Sequence, residues 1–329
     1  MRVSSILPIL LVLLSASGQT KQSYYHKEEN DKNITLQYQW RDSFGTQRNI
    51  EFDLEKDKIA KQYRQNKIYR PEIAFRYVYI EMQKHARTIN PRDARIKFRN
   101  FKNELQIEVK AENTELQNKY LNDLLVAREN AFVDYLKQNY YDRYRSPYGQ
   151  LGVKPDHTRF VAESVTSLLP AAQAIYEQLD EESTSRAYVN LLLSWVQSIP
   201  YNALQDRMTS NGAGYLAPTD VLTANIGDCD SKTVLTAALL RSLLPQLHMV
   251  MVYLPNHALL GANLPHFEGE AMISRDGIDS LLLEPTGPAI MKVGVLGEET
   301  ERYIGNGMYV LEKVPQNLNE VNQELEAGF

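Results

Sequence analysis

The sequence predicts an α+β protein, in which antiparallel strands and helices occupy successive stretches of the chain. Paired segments of alternating apolar and polar residues, with turn residues between them, indicate β-hairpins. Longer segments with apolar residues at helical spacing lie between these pairs and indicate amphipathic helices. The 329 residues suffice for two domains or one large one, and 43% hydrophobic with 23% charged residues is typical of a soluble globular protein.

The first 18 residues predict a secretory signal peptide. Arg2 gives a positive start, residues 6–14 form a short apolar core, and residues 16–18 are small. This apolar core is too short to span a bilayer, and no cysteine follows it to carry a lipid anchor. A buried strand is the alternative interpretation. We therefore expect an exported protein, periplasmic or secreted, without a transmembrane segment.

Charge divides the rest of the chain into two regions. Residues 19–150 contain 25 Lys and Arg against 19 Asp and Glu, a net charge of +6, and 13 of the 20 tyrosines. Residues 151–329 contain 10 against 22, a net charge of −12. Residues 146–155, with two prolines and two glycines, are the best linker candidate. We therefore predict a basic, Tyr-rich α+β region at 19–150, a second region at 151–315 and a polar tail at 316–329.

The first region begins with a polar stretch that we expect to be flexible, at 19–32. Two hairpins, two helices and a segment of mixed period follow it. The hairpins are 33–40 with 49–54 and 94–99 with 104–109, the helices are 55–67 and 113–144, and 73–85 is helix or strand. The basic, aromatic end of the long helix has a composition that can stack nucleic-acid bases. An exported protein rarely meets nucleic acid, so an interdomain or substrate-facing surface is the preferred interpretation.

The second region begins with helices and ends with strands. The predicted helices are 160–179, 183–199, a short one from 216 and one that follows Asp228, with a polar loop at 205–215. The predicted strands are 247–254, one that starts at His257, 280–283, 293–296 and 307–314.

Cys229 is the only cysteine of the chain and the candidate nucleophile. Gly227 breaks the preceding element, Asp228 is a good N-cap, and the next residues form helices well. In the first turn of a helix, free backbone N–H groups and the positive end of the dipole favour a thiolate. A single thiol in an exported protein is a liability unless its reactivity is used. The alternative is a small buried apolar residue.

Two further motifs follow the cysteine in the sequence. His257 stands in Asn-His-Ala at the start of one predicted strand, and Glu284 begins Glu-Pro-Thr at the end of another. Together with Gly-Asp-Cys-Asp at 227–230, these motifs resemble the transglutaminase-like cysteine hydrolases, and within them the bacterial transglutaminase-like cysteine proteinases. The resemblance covers residues 191–288. That family usually has Asp-Pro-Thr, so Glu284 is a chemically mild departure.

The resemblance implies a papain-like, transglutaminase-type core, in which a helix carrying Cys packs on an antiparallel sheet carrying His and Glu. Cys229 would attack a carbonyl, His257 would exchange the proton, and Glu284 would orient the imidazole. The backbone N–H of Cys229 would be one oxyanion donor. Candidates for the second donor are the side chains of Tyr201, Asn202 and Tyr215.

Other residues compete for functional roles. His248 lies in an apolar strand and is expected to be a core residue. His26, His85 and His157 stand in polar context, and His266 has a position from which it would line a cleft. No Cys and His spacing indicates zinc. In the resembled proteases, acidic residues beside the cysteine contribute to a calcium site. Asp228 and Asp230 are the equivalents here, but Ser231 replaces a further carboxylate, so helix capping is the preferred interpretation and no cofactor is expected.

The predicted function is that of an exported cysteine hydrolase that cleaves a peptide or amide bond through a Cys thioester. A cross-linking or amidating acyltransferase would use the same triad, and the motifs do not separate the two. A non-catalytic binding protein on the same scaffold is a third possibility. The expected partner is a protein or peptide substrate, and the sequence does not indicate an oligomeric state.

Overall fold

The computed structural model describes residues 22–101, 104–205 and 214–316. The predicted signal peptide, residues 206–213 of the polar loop and the tail from 317 lie outside these ranges. Helices and antiparallel sheets fill the described ranges, which confirms the α+β class. The elements in chain order are β1 (Gln22–Glu29), β2 (Asn33–Arg41), β3 (Gln47–Glu55), α1 (Lys56–Lys61), α2 (Pro71–Ala86), β4 (Ala94–Phe101), β5 (Glu104–Ala111), α3 (Thr114–Gln138), β6 (Tyr141–Arg145), β7 (Leu151–Pro155), α4 (His157–Tyr176), α5 (Ser185–Ser198), α6 (Pro218–Ala224), α7 (Cys229–Leu243), β8 (Met249–Leu254), β9 (His257–Ala262), β10 (Met272–Arg275), β11 (Ile278–Leu283), α8 (Glu298–Gly305) and β12 (Val310–Val314).

The second region contains a five-stranded antiparallel sheet with strand order β10-β11-β9-β8-β12. Both faces of its centre are buried, which explains why β8 is apolar throughout instead of alternating. Met249, Met251 and Tyr253 face the main core, whereas Val250, Val252 and Leu254 face a smaller cluster that includes side chains of α8. Helix α7 packs on the main-core face, against β9.

The main core joins the N-terminal sheet, β1-β2-β3, to helices α4, α5 and α7. Trp40 on β2 donates from its indole nitrogen to the hydroxyl of Ser194 on α5, at 3.0 Å. The rings of Tyr38 and Trp195 meet edge to face, with centroids 5.3 Å apart. Strands before residue 150 and helices after it therefore share one core, and the division of the chain into separate regions stays a prediction.

Strand β1 binds the turn that precedes α7. Gln22 and Asn225 exchange two amide hydrogen bonds of 2.9 and 2.7 Å, and the Tyr25 hydroxyl donates to the carbonyl of Thr223 at 2.8 Å. Asn225 has a left-handed backbone, φ 53°, four residues before Cys229. The predicted flexibility of 19–32 is therefore wrong for the strand, because its polar side chains pair with the backbone and amides of the second region.

A smaller lobe contains α2, α3 and the hairpin β4–β5, with its own core around Val78, Met82, Val109 and Leu124. Both hairpins predicted in the first region are confirmed. The segment of mixed period at 73–85 is a helix, α2, whose buried face lies against α3.

Several predicted boundaries are wrong. The helix predicted at 113–144 ends at Gln138, because Tyr140 takes a left-handed backbone (φ 64°) and the chain enters β6. The predicted linker forms the turn of the β6–β7 hairpin and all of β7. The helix predicted at 55–67 ends at Lys61, and the strand predicted at 293–296 is absent from the described residues, where α8 and β12 follow instead.

The helices of the second region are confirmed, with α4 and α5 beginning and ending within three residues of prediction. Among the described residues, no helix combines the length and hydropathy needed to span a membrane.

Candidate active site

Cys229 is the first residue of α7 and is held against the start of β9. The side chain of Asp228 caps the helix by accepting a hydrogen bond from the Ser231 N–H at 2.9 Å, which confirms the predicted N-cap. The backbone N–H of Ala258 donates to the sulfur of Cys229. The carbonyl of Ala258 accepts from the Thr233 hydroxyl at 3.1 Å. Both backbone groups of one β9 residue thus anchor the first turns of α7 beside His257.

His257 and Glu284 are brought together by strand pairing. His257 is the first residue of β9, and Glu284 follows β11, which pairs with β9 in the same sheet. His257 Nε2 lies 2.5 Å from Glu284 Oε1. An ionised carboxylate only accepts, so Nε2 carries a proton, and in the neutral imidazole Nδ1 is left with a lone pair. The Gly297 N–H and the Thr300 hydroxyl also donate to this carboxylate, at 3.3 and 3.4 Å.

The charge on Glu284 is favoured despite its burial. Burial alone raises the pKa of this carboxyl, but the hydrogen bond and the charge of His257 outweigh that effect, with help from Gly297 and Thr300. The pKa of Glu284 therefore lies below its ordinary value. A carboxylate that stays ionised at neutral pH is suited to orienting an imidazole.

The surroundings of the thiol oppose its ionisation. Burial raises the pKa of Cys229, and the carboxylates of Asp230 and Asp228 raise it further, while the Ala258 N–H acts in the other direction. The sulfur lies 3.6 Å from Asp230 Oδ1. The expectation that the helix start would lower the thiol pKa is therefore wrong. Lost hydration and the two flanking carboxylates act against the thiolate that the helix start favours.

The two aspartates have separate contacts. Asp228 is buried and caps α7, and burial followed by the neighbouring Asp230 raises its pKa to about 7. Asp230 faces the thiol on one side and His157 on the other. Over residues 22–101, 104–205 and 214–316, no group of three or more His, Cys, Asp or Glu side chains could hold a metal ion. The calcium site considered for these two residues stays a hypothesis.

The three candidates for the second oxyanion donor differ in accessibility. Tyr201 is 52% exposed, and its backbone bridges to that of Gly227. Partial burial, and after it the charge of Cys229, raises the pKa of its hydroxyl. Asn202 uses its side-chain oxygen to accept from the Leu204 N–H at 2.8 Å. Tyr215 is buried, and its hydroxyl has no hydrogen-bond partner within the part of the chain that the structure describes. Tyr201 is therefore the candidate best placed to meet a substrate.

Two histidines lie in environments opposite to those that the sequence suggested. His248 is exposed in the turn before β8 and is not a core residue. His157 is completely buried at the start of α4, with Nδ1 3.0 Å from the Tyr253 hydroxyl and Nε2 3.9 Å from Asp230 Oδ2. The sequence did not indicate that His157 is buried, because its neighbours are polar. Asp156, the N-cap directly before it, did indicate a helix start.

Two residues that sequence reasoning did not single out donate hydrogen bonds to backbone carbonyls near the triad candidates. Gln197 on α5 donates to the carbonyls of Glu284 and Met291, at 2.9 Å each. Lys232 on α7 is completely buried and donates to two backbone carbonyls. No pattern in the sequence marked Lys232, because it directly follows the polar residues Asp230 and Ser231.

Comparison with models of known protein families, with curated proteins and with solved structures finds no match to this chain. The geometry around Cys229, His257 and Glu284 is therefore the basis for any statement about chemistry.

Proposed function

We propose that this chain is an exported cysteine hydrolase of the transglutaminase-like type, with Cys229, His257 and Glu284 as its catalytic triad. The proposed reaction is cleavage of a peptide or amide bond through a thioester on Cys229. The proposal includes the finer fold assignment, a papain-like core formed by α7 and the five-stranded sheet.

One observation carries the proposal. The 2.5 Å hydrogen bond between His257 and Glu284 stands next to Ala258, whose N–H holds the Cys229 sulfur. A nucleophile, a base and a carboxylate that orients the base are the parts that acyl transfer requires. A buried pair of His and Glu with a structural role alone would not require a thiol at the start of the adjacent helix.

The proposed reaction begins with transfer of the thiol proton to His257 Nδ1 while the sulfur attacks the substrate carbonyl carbon. The backbone N–H of Cys229 and a second donor, for which Tyr201 is preferred, stabilise the oxyanion. The C–N bond then breaks, the imidazolium gives its proton to the leaving amine, and a thioester remains. Water, deprotonated by His257, attacks the thioester and releases the acid and the free thiol.

The acidic surroundings of the thiol favour general-base catalysis over a resting thiolate–imidazolium pair. Asp230 and Asp228 raise the thiol pKa in the free protein. Removal of the proton during attack avoids forming a thiolate next to these carboxylates. Glu284 offsets the positive charge that then develops on His257.

The test compares the whole chain with Cys229→Ala, His257→Gln and Glu284→Gln, using denatured protein and peptide mixtures as substrates. New amino termini that appear with the parent protein and are absent with all three variants support the proposal. Exposed His248→Gln is the matched histidine control and is expected to cleave like the parent. Cleavage that survives in Cys229→Ala contradicts the proposed nucleophile.

Transfer to an amine instead of water uses the same thioester. Adding a labelled primary amine to the cleavage assay separates the two outcomes. Label found in the acyl product indicates a cross-linking or amidating acyltransferase, whereas unlabelled fragments indicate hydrolysis.

A non-catalytic binding protein is the second candidate function, and one observation favours it. Burial and two carboxylates keep the thiol protonated, which is the reverse of the electrostatics that usually activate a cysteine. In that case the parent chain would retain a peptide ligand without consuming it, and Cys229→Ala would bind the ligand equally well. Turnover by the parent chain rejects this candidate.

A further inference from the structure

Lys232 lies on α7 one turn after Cys229, and its side chain is completely buried. Its amine donates to the carbonyl of Ile199 and, at 2.7 Å, to the carbonyl of Thr286. Both acceptors are backbone carbonyls, so the contact is not an ion pair of the usual kind. Among charged groups, Asp228 acts on this amine and favours its protonated form.

The two carbonyls belong to different parts of the candidate active site. Ile199 caps the end of α5 and leads into Tyr201, whose backbone bridges to Gly227. Thr286 follows Glu284 by two residues, in the loop after β11. One amine on the nucleophile helix therefore joins that helix to the two segments that flank it.

Burying the amine of Lys232 costs free energy of folding. Burial lowers the pKa of Lys232 to about 7, against an ordinary value near 10.4. An apolar side chain of the same length would avoid this cost, and replacing buried charged groups by apolar ones is often neutral or stabilising. Core packing alone therefore does not account for a lysine at this place.

The loop that carries Glu284 is attached to α5 by independent contacts as well. Gln197 binds the carbonyls of Glu284 and Met291. Gly287 approaches so closely that a Cβ there would lie 2.2 Å from the Gln197 carbonyl oxygen. These contacts fix the loop to α5, whereas Lys232 fixes it to the helix of Cys229.

We propose that Lys232 is a positioning residue for the triad: its amine fixes the loop of Glu284 to the helix of Cys229, and so sets His257 relative to the thiol. The inference rests on the proposed function, because positioning has a purpose only if the three side chains react together. Lys232 itself does not contact the substrate and transfers no proton.

The test uses Lys232→Met, which keeps the length of the side chain and removes the donors. Arg241→Met is the matched control, since Arg241 is a buried cation on the same helix, binds backbone carbonyls and lies at the end remote from Cys229. The first readout is the downfield proton resonance of His257 Nε2–H in its hydrogen bond to Glu284, assigned by its loss in His257→Gln. The second is the split between kcat and KM.

We expect Lys232→Met to shift or broaden this resonance and to lower kcat by about 10- to 100-fold with little change in KM, because misplacement by about 1 Å costs that much. Arg241→Met is expected to keep the resonance of the parent chain. A folded Lys232→Met with an unchanged resonance and unchanged kcat overturns the proposal.

Should Lys232→Met fail to fold, Lys232→Gln, which retains a shorter donor, is measured in the same way. A displaced resonance in the folded variant supports the proposal, and an unchanged one overturns it. Failure of both variants to fold at any temperature would assign Lys232 to stability alone and also overturn it. The resonance is measured without substrate. A parent chain that cleaves nothing would therefore refute the proposed hydrolase, whereas the resonance would still show whether Lys232 positions His257.

Discussion

At the scale of single residues, Glu284 is the acceptor on which the orientation of His257 depends. It accepts from His257, from Gly297 and from Thr300. Glu284→Gln removes the charge and one acceptor at almost unchanged size. We expect kcat to fall by about 10²- to 10⁴-fold, as is typical when a general base loses its support.

Glu284→Asp is the matched control for that change. It keeps the charge but shortens the side chain by one methylene, and we expect activity between those of the parent chain and Glu284→Gln. Steady-state kinetics on the peptide identified in the cleavage assay provide the measurement. Equal activity of all three proteins would show that the carboxylate plays no part in orienting the imidazole.

Asp230 is the residue that we expect to control the reactivity of the thiol. After burial, its charge is the largest contribution that raises the pKa of Cys229. Asp230→Asn removes that charge, so the thiol pKa should fall and the rate of alkylation by iodoacetamide at pH 7 should rise, about tenfold for each unit of pKa. The rate is measured by mass spectrometry of the labelled peptide. Exposed Asp276→Asn is the control, and a slower reaction in Asp230→Asn contradicts the prediction.

Asp228 gives the folded protein a specific dependence on pH. Its pKa is raised to about 7 in the folded chain, mainly by burial, against about 3.9 when unfolded. Between these values the folded state binds more protons, so this group's contribution to stability is complete below pH 4 and is lost as the pH rises through 7. Asp228→Asn keeps an N-cap and removes the titration.

We therefore expect the free energy of unfolding of Asp228→Asn, relative to the parent chain, to increase between pH 4 and pH 7, by roughly 2–4 kcal/mol at most. Urea denaturation at several pH values measures this difference. A difference between the two proteins that does not depend on pH would show that Asp228 does not titrate in this range.

At the scale of elements, the loop after β11 is the most constrained connection near the site. Gly287 has φ 62°, and a Cβ there would meet the backbone of Gln197 at 2.2 Å. Gly277 has φ 79° but open space around the same position. Gly277→Ala therefore carries only the cost of a left-handed backbone, about 1–2 kcal/mol.

Gly287→Ala is expected to cost clearly more than Gly277→Ala, because the loop must move away from α5 as well. That movement should also lower activity, since the same loop carries Glu284. Chemical denaturation of the two variants provides the comparison. Equal losses of stability would show that the close approach to Gln197 is easily relieved.

The elements that the sequence predicted well are those whose signal is local. The hairpins of the first region, α4, α5 and the Asp228 cap follow from alternation, helical spacing and one capping residue. No local pattern reports the side-chain contacts of β1 with residues some 200 positions away, such as Asn225.

The candidate site was predicted in the same uneven way. The sequence motifs named His257 and Glu284, and the structure places them in hydrogen-bond contact. The raised pKa of Cys229 was not predicted, because burial and the orientation of Asp230 are properties of the folded chain. Lys232 was missed for a similar reason, since its acceptors come from two distant segments.

At the scale of the whole molecule, the shared core predicts that the two sides of residue 150 unfold together. Strands β2 and β3 contribute Leu36, Trp40 and Phe52 to the core that α4, α5 and α7 also line. The fragment 151–316 alone would expose this surface and is expected to lack a cooperative thermal transition. Calorimetry of this fragment beside residues 22–316 measures the difference, and a sharp transition in the fragment would contradict the prediction.

The contact between Gln22 and Asn225 has a practical consequence for handling the protein. A fusion partner or affinity tag joined directly before Gln22 would emerge beside the turn that leads to Cys229. Bulk at that point competes with docking of the first strand, so purification handles need a cleavable spacer. Recovery of activity after the handle is cut off would report whether that turn had been disturbed.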